Sequence, residues 1–259
     1  MICLEPGWIQ LEDEIKKNLN IPNFLTALRV FVLPFFIYLL FQKEIHYQII
    51  AFLIFAVASL TDLIDGYLAR KWNQETEFGK FLDPLADKFL VIGCFVSFLF
   101  IHEQIQIWMV SLIIFRDMLI TFLRYVAVQS GISIRTTMMG KVKTTFQMGT
   151  IIIILIIFSL ITGARKQSIN EEYRVLKQEG MNTFEIATHK LFQFHDYIKH
   201  DRPLEFKVGL GHLAGFLPYY GMLFTTFITV LSGVRYLVTN KSLFRWKFIR
   251  KAIPYMETK

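Results

Sequence analysis

Long apolar stretches recur along most of this chain, separated by short polar connections. A helix that crosses a bilayer needs about 20 mainly apolar residues. Six segments fit: Phe24–Phe41, Gln48–Leu68, Phe81–Ile101, Ile107–Val128, Thr145–Ile161 and Leu213–Val238. The first residues are polar and carry no apolar core followed by a cleavage site, so none of these spans reads as a removable signal. Helical spacing instead places Trp8, Leu11, Ile15 and Leu19 on one face, with Glu12, Asp13, Lys16 and Lys17 elsewhere. That pattern suits a helix lying in the membrane interface; a solvated helix leading into the first span fits equally well. The expected fold is an all-α integral membrane protein, a six-helix transmembrane bundle. Residues 1–22 form the interfacial segment, 23–162 carry spans one to five, 163–212 form a polar insertion, and 213–259 hold span six and a basic tail.

The insertion is the exception to the apolar pattern. Gly163–His212 holds eight Lys/Arg and seven Asp/Glu, and its periodic apolar residues, such as Tyr173, Leu176 and Phe184, point to some helix. Its histidines, His189, His195, His200 and His212, do not have the spacing of a zinc motif and read as surface or capping residues.

Charge adds orientation. Lys16 and Lys17 precede span one, and Arg70, Lys71 and Lys80 join spans two and three. Arg135, Lys141 and Lys143 join spans four and five, and Lys241, Arg245, Lys247, Arg250 and Lys251 follow span six. The other side offers Lys43 and no Lys or Arg in His102–Gln106. The asymmetry places both termini in the cytoplasm, in a multi-pass protein of the cell (inner) membrane, with Gly163–His212 on the far side. Long loops follow that rule weakly, so the basic residues of the insertion do not argue against translocation.

Composition agrees: 54% of residues are hydrophobic and 19% charged, against about 25% charged in ordinary soluble domains. The net charge of +7 reads as attraction to anionic headgroups of the bilayer, with nucleic acid a poor alternative. Two cysteines, Cys3 and Cys94, make neither a disulfide framework nor a zinc site.

The chemistry concentrates between spans two and three. Asp62-Leu-Ile-Asp65-Gly66-Tyr-Leu-Ala69-Arg70 is followed after eight residues by Gly79 and then by Asp83-Pro-Leu-Ala-Asp87. Spacings of three and four put each carboxylate pair on one face of its helix. A charge at the bilayer centre costs roughly 2.5–3.5 kcal/mol even on lenient scales. Four converging carboxylates would repel one another and take up protons unless cations neutralised them. Their oxygens suit a hard ion such as Mg²⁺ or Mn²⁺, and two helices with two carboxylates each can hold two ions. Gly66 and Ala69 leave room for a nucleotide or diphosphate, and Arg70 offers a forked donor to phosphate. Gly79 permits close packing or tight reversal where span three begins, and Pro84 is expected in the first turn or so of that helix. Helix-end carboxylates in water would explain single aspartates but not the set.

The string Asp-x2-Asp-Gly-x2-Ala-Arg-x8-Gly-x3-Asp-x3-Asp, complete in Asp62–Asp87, resembles the signature of the CDP-alcohol phosphatidyltransferases. Asn20-Ile-Pro-Asn23-Phe-Leu-Thr26-Ala-Leu-Arg29 is similar to the start of the bacterial phosphatidylglycerophosphate-synthase branch. So are Arg116-Asp117 with Arg124, Gly140-Lys141-Val-Lys143-Thr144 with Gln147, and Ser232-Gly233 with Tyr236. The likeness covers nearly the whole chain except Gly163–His212.

That resemblance implies transfer of a phosphatidyl group from CDP-diacylglycerol to sn-glycerol 3-phosphate, with release of CMP. It implies Asp62, Asp65 and Asp83 as metal ligands, with Asp87 near the second ion and also the candidate general base. The two roles of Asp87 conflict if both its oxygens bind metal. Gly66, Ala69, Arg70 and Gly79 are the implied CDP-lipid contacts; Asn23 is either a further contact or a helix cap. A homodimer is expected only because such enzymes commonly dimerise.

Arg116 and Arg124 lie eight apart on span four and so share roughly one face. An unpaired guanidinium inside a span is expensive, and Asp117, about 100° away round the helix, is not an obvious partner. Arg116, Arg124 and Lys141 are therefore expected to bind the acceptor phosphate; Lys143 fits that role and cytoplasmic anchoring equally well. Rival readings are the same chemistry on serine, inositol phosphate or phosphatidylglycerol, an intramembrane prenyltransferase, and an aspartate-lined cation transporter. The prenyltransferase pattern keeps its two motifs far apart, and the transporter leaves Gly66, Ala69, Arg70 and Gly79 unexplained.

Overall fold

The computed structural model describes residues 21–72, 77–129, 138–200 and 205–240. For residues 21–27, 29, 62–72, 77–87, 125–126, 128–129 and 200 the description covers the backbone alone. The interfacial segment expected over 1–22 and the basic tail beyond 240 thus fall almost wholly outside the described residues. Every regular element described is a helix: α1 Ile21–Leu40, α2 Ile45–Trp72, α3 Glu77–Ile101, α4 Ile107–Gln129, α5 Met138–Leu160, α6 Gly163–Gln178, α7 Thr183–His200 and α8 Phe206–Thr239.

Each of the six apolar segments expected to span falls within a helix, in α1 to α5 and α8, to within a residue at its ends. Among the described residues two helices, Met138–Leu160 and Phe206–Thr239, are long and apolar enough to cross a membrane. Apolar stretches also fill Val30–Leu40, Ile45–Thr61 and Lys88–Ile101, while α4 carries Arg116, Asp117 and Arg124 within its length. Several helices expose apolar stripes. Phe31, Phe35 and Tyr38 line one on α1, and Ile49, Leu53, Val57 and Leu60 line one on α2. On α8 the stripe is Phe224, Phe227, Leu231, Val234 and Val238. Contiguous exposed apolar surface of this kind is costly in water and marks a surface made for other apolar matter. With the two long apolar helices, it is consistent with a membrane protein.

The described chain falls into two compact units. The first holds α1, α2 and most of α3, with the end of α5. Its core includes fully buried Phe36, Phe55, Cys94 and Phe95; the rings of Phe36 and Phe55 lie 6.0 Å apart. Gly93 lets α1 approach, since a Cβ there would sit 3.0 Å from Leu33 Cδ1. Gly163 is tighter: a Cβ would stand 2.5 Å from the Lys43 carbonyl oxygen, so only glycine fits.

The second unit contains α4, most of α5, and α6 to α8. Here the polar insertion proves to be two well-made helices. Gly180, at φ 95°, ends α6. Its N–H donates to Lys177 O at 3.1 Å, and Met181 N–H reaches Leu176 O at 3.1 Å. These are the paired bonds of a Schellman cap. Glu185 then accepts the Asn182 N–H at 2.8 Å, the return half of a capping box at the start of α7.

The insertion is docked. Asn170 donates to Ile101 O at 2.8 Å, and Arg174 pairs with Glu103 at 2.8 Å. Gln106 donates to Thr183, and the buried Tyr173 hydroxyl donates to Gly215 O at 2.6 Å. Gln104 donates to Ala214 O at 2.8 Å. These bonds tie α6, α7, the 102–106 connection and the first turns of α8 together. His102, buried among them, is held neutral down to about 3, chiefly by burial and then by the nearby Lys166 ammonium. Helix α8 starts at Phe206, ahead of the span expected from Leu213, because its first turns are paired with the insertion. Its 34 residues rise roughly 51 Å at about 1.5 Å each, well beyond a hydrocarbon core of about 30 Å.

Candidate active site

The aspartate motif sits on regular helix at both ends. Asp62 and Asp65 belong to α2, which runs without a break to Trp72, and Asp83 and Asp87 belong to α3, which begins at Glu77. Asp65 is seven residues before the end of α2 and Asp83 six after the start of α3, each roughly 10 Å along its axis. Asp62 and Asp87 are each ten residues away, roughly 15 Å. The quartet is therefore symmetric about the connection, a register that composition alone does not require. The side chains of Asp62, Asp65, Gly66, Ala69, Arg70, Gly79, Asp83 and Asp87, and that of Asn23, lie outside the described part. Gly79 falls in the first turn of α3, while Pro84 is its eighth residue, later than the first-turn position expected. There it costs the helix one backbone hydrogen bond.

The expected acceptor residues lie in the second unit, where the structure assembles a buried ionic cluster. Asp117 on α4 is its hub. Lys143 Nζ from α5 donates to Asp117 Oδ1 at 2.7 Å and Oδ2 at 2.6 Å. Arg116 Nη1 donates to Asp117 Oδ1 at 3.2 Å, and Gln147 approaches Oδ2 at 3.5 Å. The second guanidinium nitrogen, Arg116 Nη2, donates to Ser232 Oγ on α8 at 2.9 Å. Gly233 provides the space, because a Cβ there would come within 2.9 Å of Arg116 Cγ.

Two expectations change. Arg116 does have Asp117 as a partner: its long side chain folds back over a separation that the Cα–Cβ directions alone would make too wide. Lys143 is only 8% exposed and ion-paired, so it is not a surface anchor. Arg124 and Lys141 are exposed.

Among the described residues the cluster joins Arg116 and Lys143 to Asp117, and Arg116 Nε is buried without a hydrogen-bond partner. Thr229 and Tyr236, which share the Ser232 face of α8, also bury unpartnered hydroxyls. Buried polar groups are nearly always satisfied, and this seam holds three orphans among the described residues. Sequence reasoning passed over Asp117 as a partner; its adjacency to an arginine inside an apolar run was the signal.

A family model described as CDP-alcohol phosphatidyltransferase matches residues 19–169, which covers the aspartate motif and the Arg116–Lys143 region. The chain is 38% identical over 141 residues to the CDP-diacylglycerol–glycerol-3-phosphate 3-phosphatidyltransferase of Yersinia enterocolitica, over 52% of this chain and 76% of that protein. Relatives of the same name from Escherichia coli K12 and Salmonella typhimurium are 42% and 41% identical over 135 residues, 50% of this chain and 72% of theirs. The family match stops at residue 169, so most of the insertion and all of α8 lie beyond it. With more than half of its length in that match and the aspartate motif intact, the chain belongs to the CDP-alcohol phosphatidyltransferase family.

Proposed function

We propose that this enzyme transfers the phosphatidyl group of CDP-diacylglycerol to sn-glycerol 3-phosphate, giving phosphatidylglycerophosphate and CMP. The observation that carries the reading is the complete aspartate motif, Asp62 to Asp87, in helical register on α2 and α3. The relatives' shared name supports the choice of donor and acceptor.

The acceptor hydroxyl attacks the phosphatidyl phosphorus, the bond to the CMP oxygen breaks, and Asp87 takes the hydroxyl proton. Four carboxylates and no softer ligand form a donor set that fits two Mg²⁺ or Mn²⁺ ions, held by Asp62, Asp65, Asp83 and Asp87. When bound, such ions supply positive charge to the diphosphate and to the departing CMP. Gly66, Ala69 and Gly79 admit the nucleotide close to the backbone, Arg70 donates to its phosphate, and Asn23 adds a contact. Arg116, Arg124, Lys141 and Lys143 receive the acceptor phosphate.

Six spans follow in this reading, α1 to α5 and α8, with both termini and the motif on the cytoplasmic side of the inner membrane. The docking of α6 and α7 on the 102–106 connection supports placing the insertion on the opposite side, because alternate connections share a face. The donor's tails stay in the bilayer while the soluble acceptor arrives from water. A homodimer is compatible with the exposed apolar stripes, which lipid would cover equally well.

The test is purified enzyme with CDP-diacylglycerol, offered glycerol 3-phosphate, serine, inositol phosphate and phosphatidylglycerol in turn. CMP release is expected with glycerol 3-phosphate; release only with another acceptor overturns the assignment.

A further inference from the structure

The buried cluster contains one residue that the proposed reaction does not itself employ. Asp117 cannot receive an anionic acceptor, yet its carboxylate accepts from both Arg116 and Lys143 and faces Gln147. One oxygen accepts from both Arg116 Nη1 and Lys143 Nζ, and the other accepts from Lys143 and faces Gln147. Three helices are thereby fixed to one another at a single point.

The geometry of the guanidinium is the telling part. Nη1 is held by Asp117 and Nη2 by Ser232, so the plane of the group is set by two bonds from different helices. Gly233 leaves the stem of Arg116 no bulk to avoid on that side. Nε remains as a buried donor with no acceptor. An arginine arranged only for stability would place its forked edge on the carboxylate, as bidentate pairs do; here the carboxylate takes a single nitrogen.

We propose that Asp117 is a positioning residue for acceptor recognition, orienting the Arg116 guanidinium and the Lys143 ammonium toward a phosphate without touching substrate. This deepens the reading above and rests on it. Asp117 restrains both cations, so a phosphorylated alcohol meets donors already held in place.

The test uses the full-length enzyme in detergent or proteoliposomes, comparing wild type with Asp117→Asn, Asp117→Glu and Asp117→Asn/Lys143→Met. The double variant removes one charge of each sign, so that the fold is not burdened with an extra buried cation. Thermal melting reports folding, and the apparent KM is measured separately for glycerol 3-phosphate and CDP-diacylglycerol. The expected result is a rise of roughly tenfold or more in KM for glycerol 3-phosphate in both Asn variants. KM for the CDP-lipid stays within about twofold, and Asp117→Glu restores much of the loss. A folded Asn variant, single or double, with unchanged glycerol 3-phosphate KM overturns the proposal, as does an equal rise in both constants. A wild-type enzyme that ignores glycerol 3-phosphate would instead sink the acceptor reading, so the two failures are distinct.

Discussion

The two polar regions of this protein solve the same problem in opposite ways. On α2 and α3, four carboxylates stand in regular helix with Arg70 the one cation inside the motif's specified positions. On α4, α5 and α8, Asp117 meets both Arg116 and Lys143 among the described residues. The first region is rich in carboxylates by sequence and the second, among its described residues, in cations. On the proposed reading the first region takes cations from outside and the second takes an anion. The proposed reaction uses both kinds of ligand at once: divalent ions with a diphosphate, and a phosphorylated acceptor.

The sharpest way to break the comparison is at the carboxylates. Replacing Asp62 or Asp83 by Asn removes a charge that, on this account, holds a metal ion. Activity is expected to fall more than a hundredfold, with the helical content by circular dichroism unchanged. Residual activity above a tenth of wild type would mean that the motif does not work as a metal-binding set.

A smaller effect is expected on the cationic side. Arg116→Ala should raise the apparent KM for glycerol 3-phosphate about ten- to a hundredfold, the equivalent of about 1.5–3 kcal/mol for one charge-assisted hydrogen bond. Arg124→Ala, at an exposed position, should cost less. Equal effects at the two positions would remove the distinction drawn from burial.

The smallest effect lies outside both regions and serves as a control. His102 is neutral in the folded protein down to about 3, because burial and Lys166 disfavour its charged form, while unfolded histidine titrates near 6.5. Its contribution is therefore fully present above about pH 6.5 and is lost as pH falls toward 3. The slope is at most about 1.4 kcal/mol per pH unit. The melting temperature should drop between pH 7 and pH 5, and His102→Asn should reduce that drop. An unchanged drop would show that His102 does not contribute to it.

Much of this was legible in the sequence, for identifiable reasons. Apolar run length located six helices, since a stretch that cannot be solvated must be helical if it crosses a bilayer. Aspartate spacings of three and four announced paired carboxylates before any backbone was known. The insertion was harder. Its helices are too polar to stand out by hydropathy, although Gly180 and the pair Asn182 and Glu185 carried the turn and the cap in plain form. The early start of α8 depends on partners more than 100 residues away in sequence, such as Gln104 on Ala214. Asp117 was misjudged for a related reason: helical-wheel angles describe where Cβ points and say little about where a guanidinium ends.

The central claim is that an imported cation on one region and a phosphorylated acceptor on the other are both required for one reaction. The direct measurement is CMP release by the purified, lipid-reconstituted enzyme from CDP-diacylglycerol, with glycerol 3-phosphate and Mg²⁺ or Mn²⁺ each present or withheld. The account predicts release only when both are present, abolished by excess chelator and restored by adding the ion back. Full turnover in chelator, or CMP release that does not depend on glycerol 3-phosphate, would contradict it.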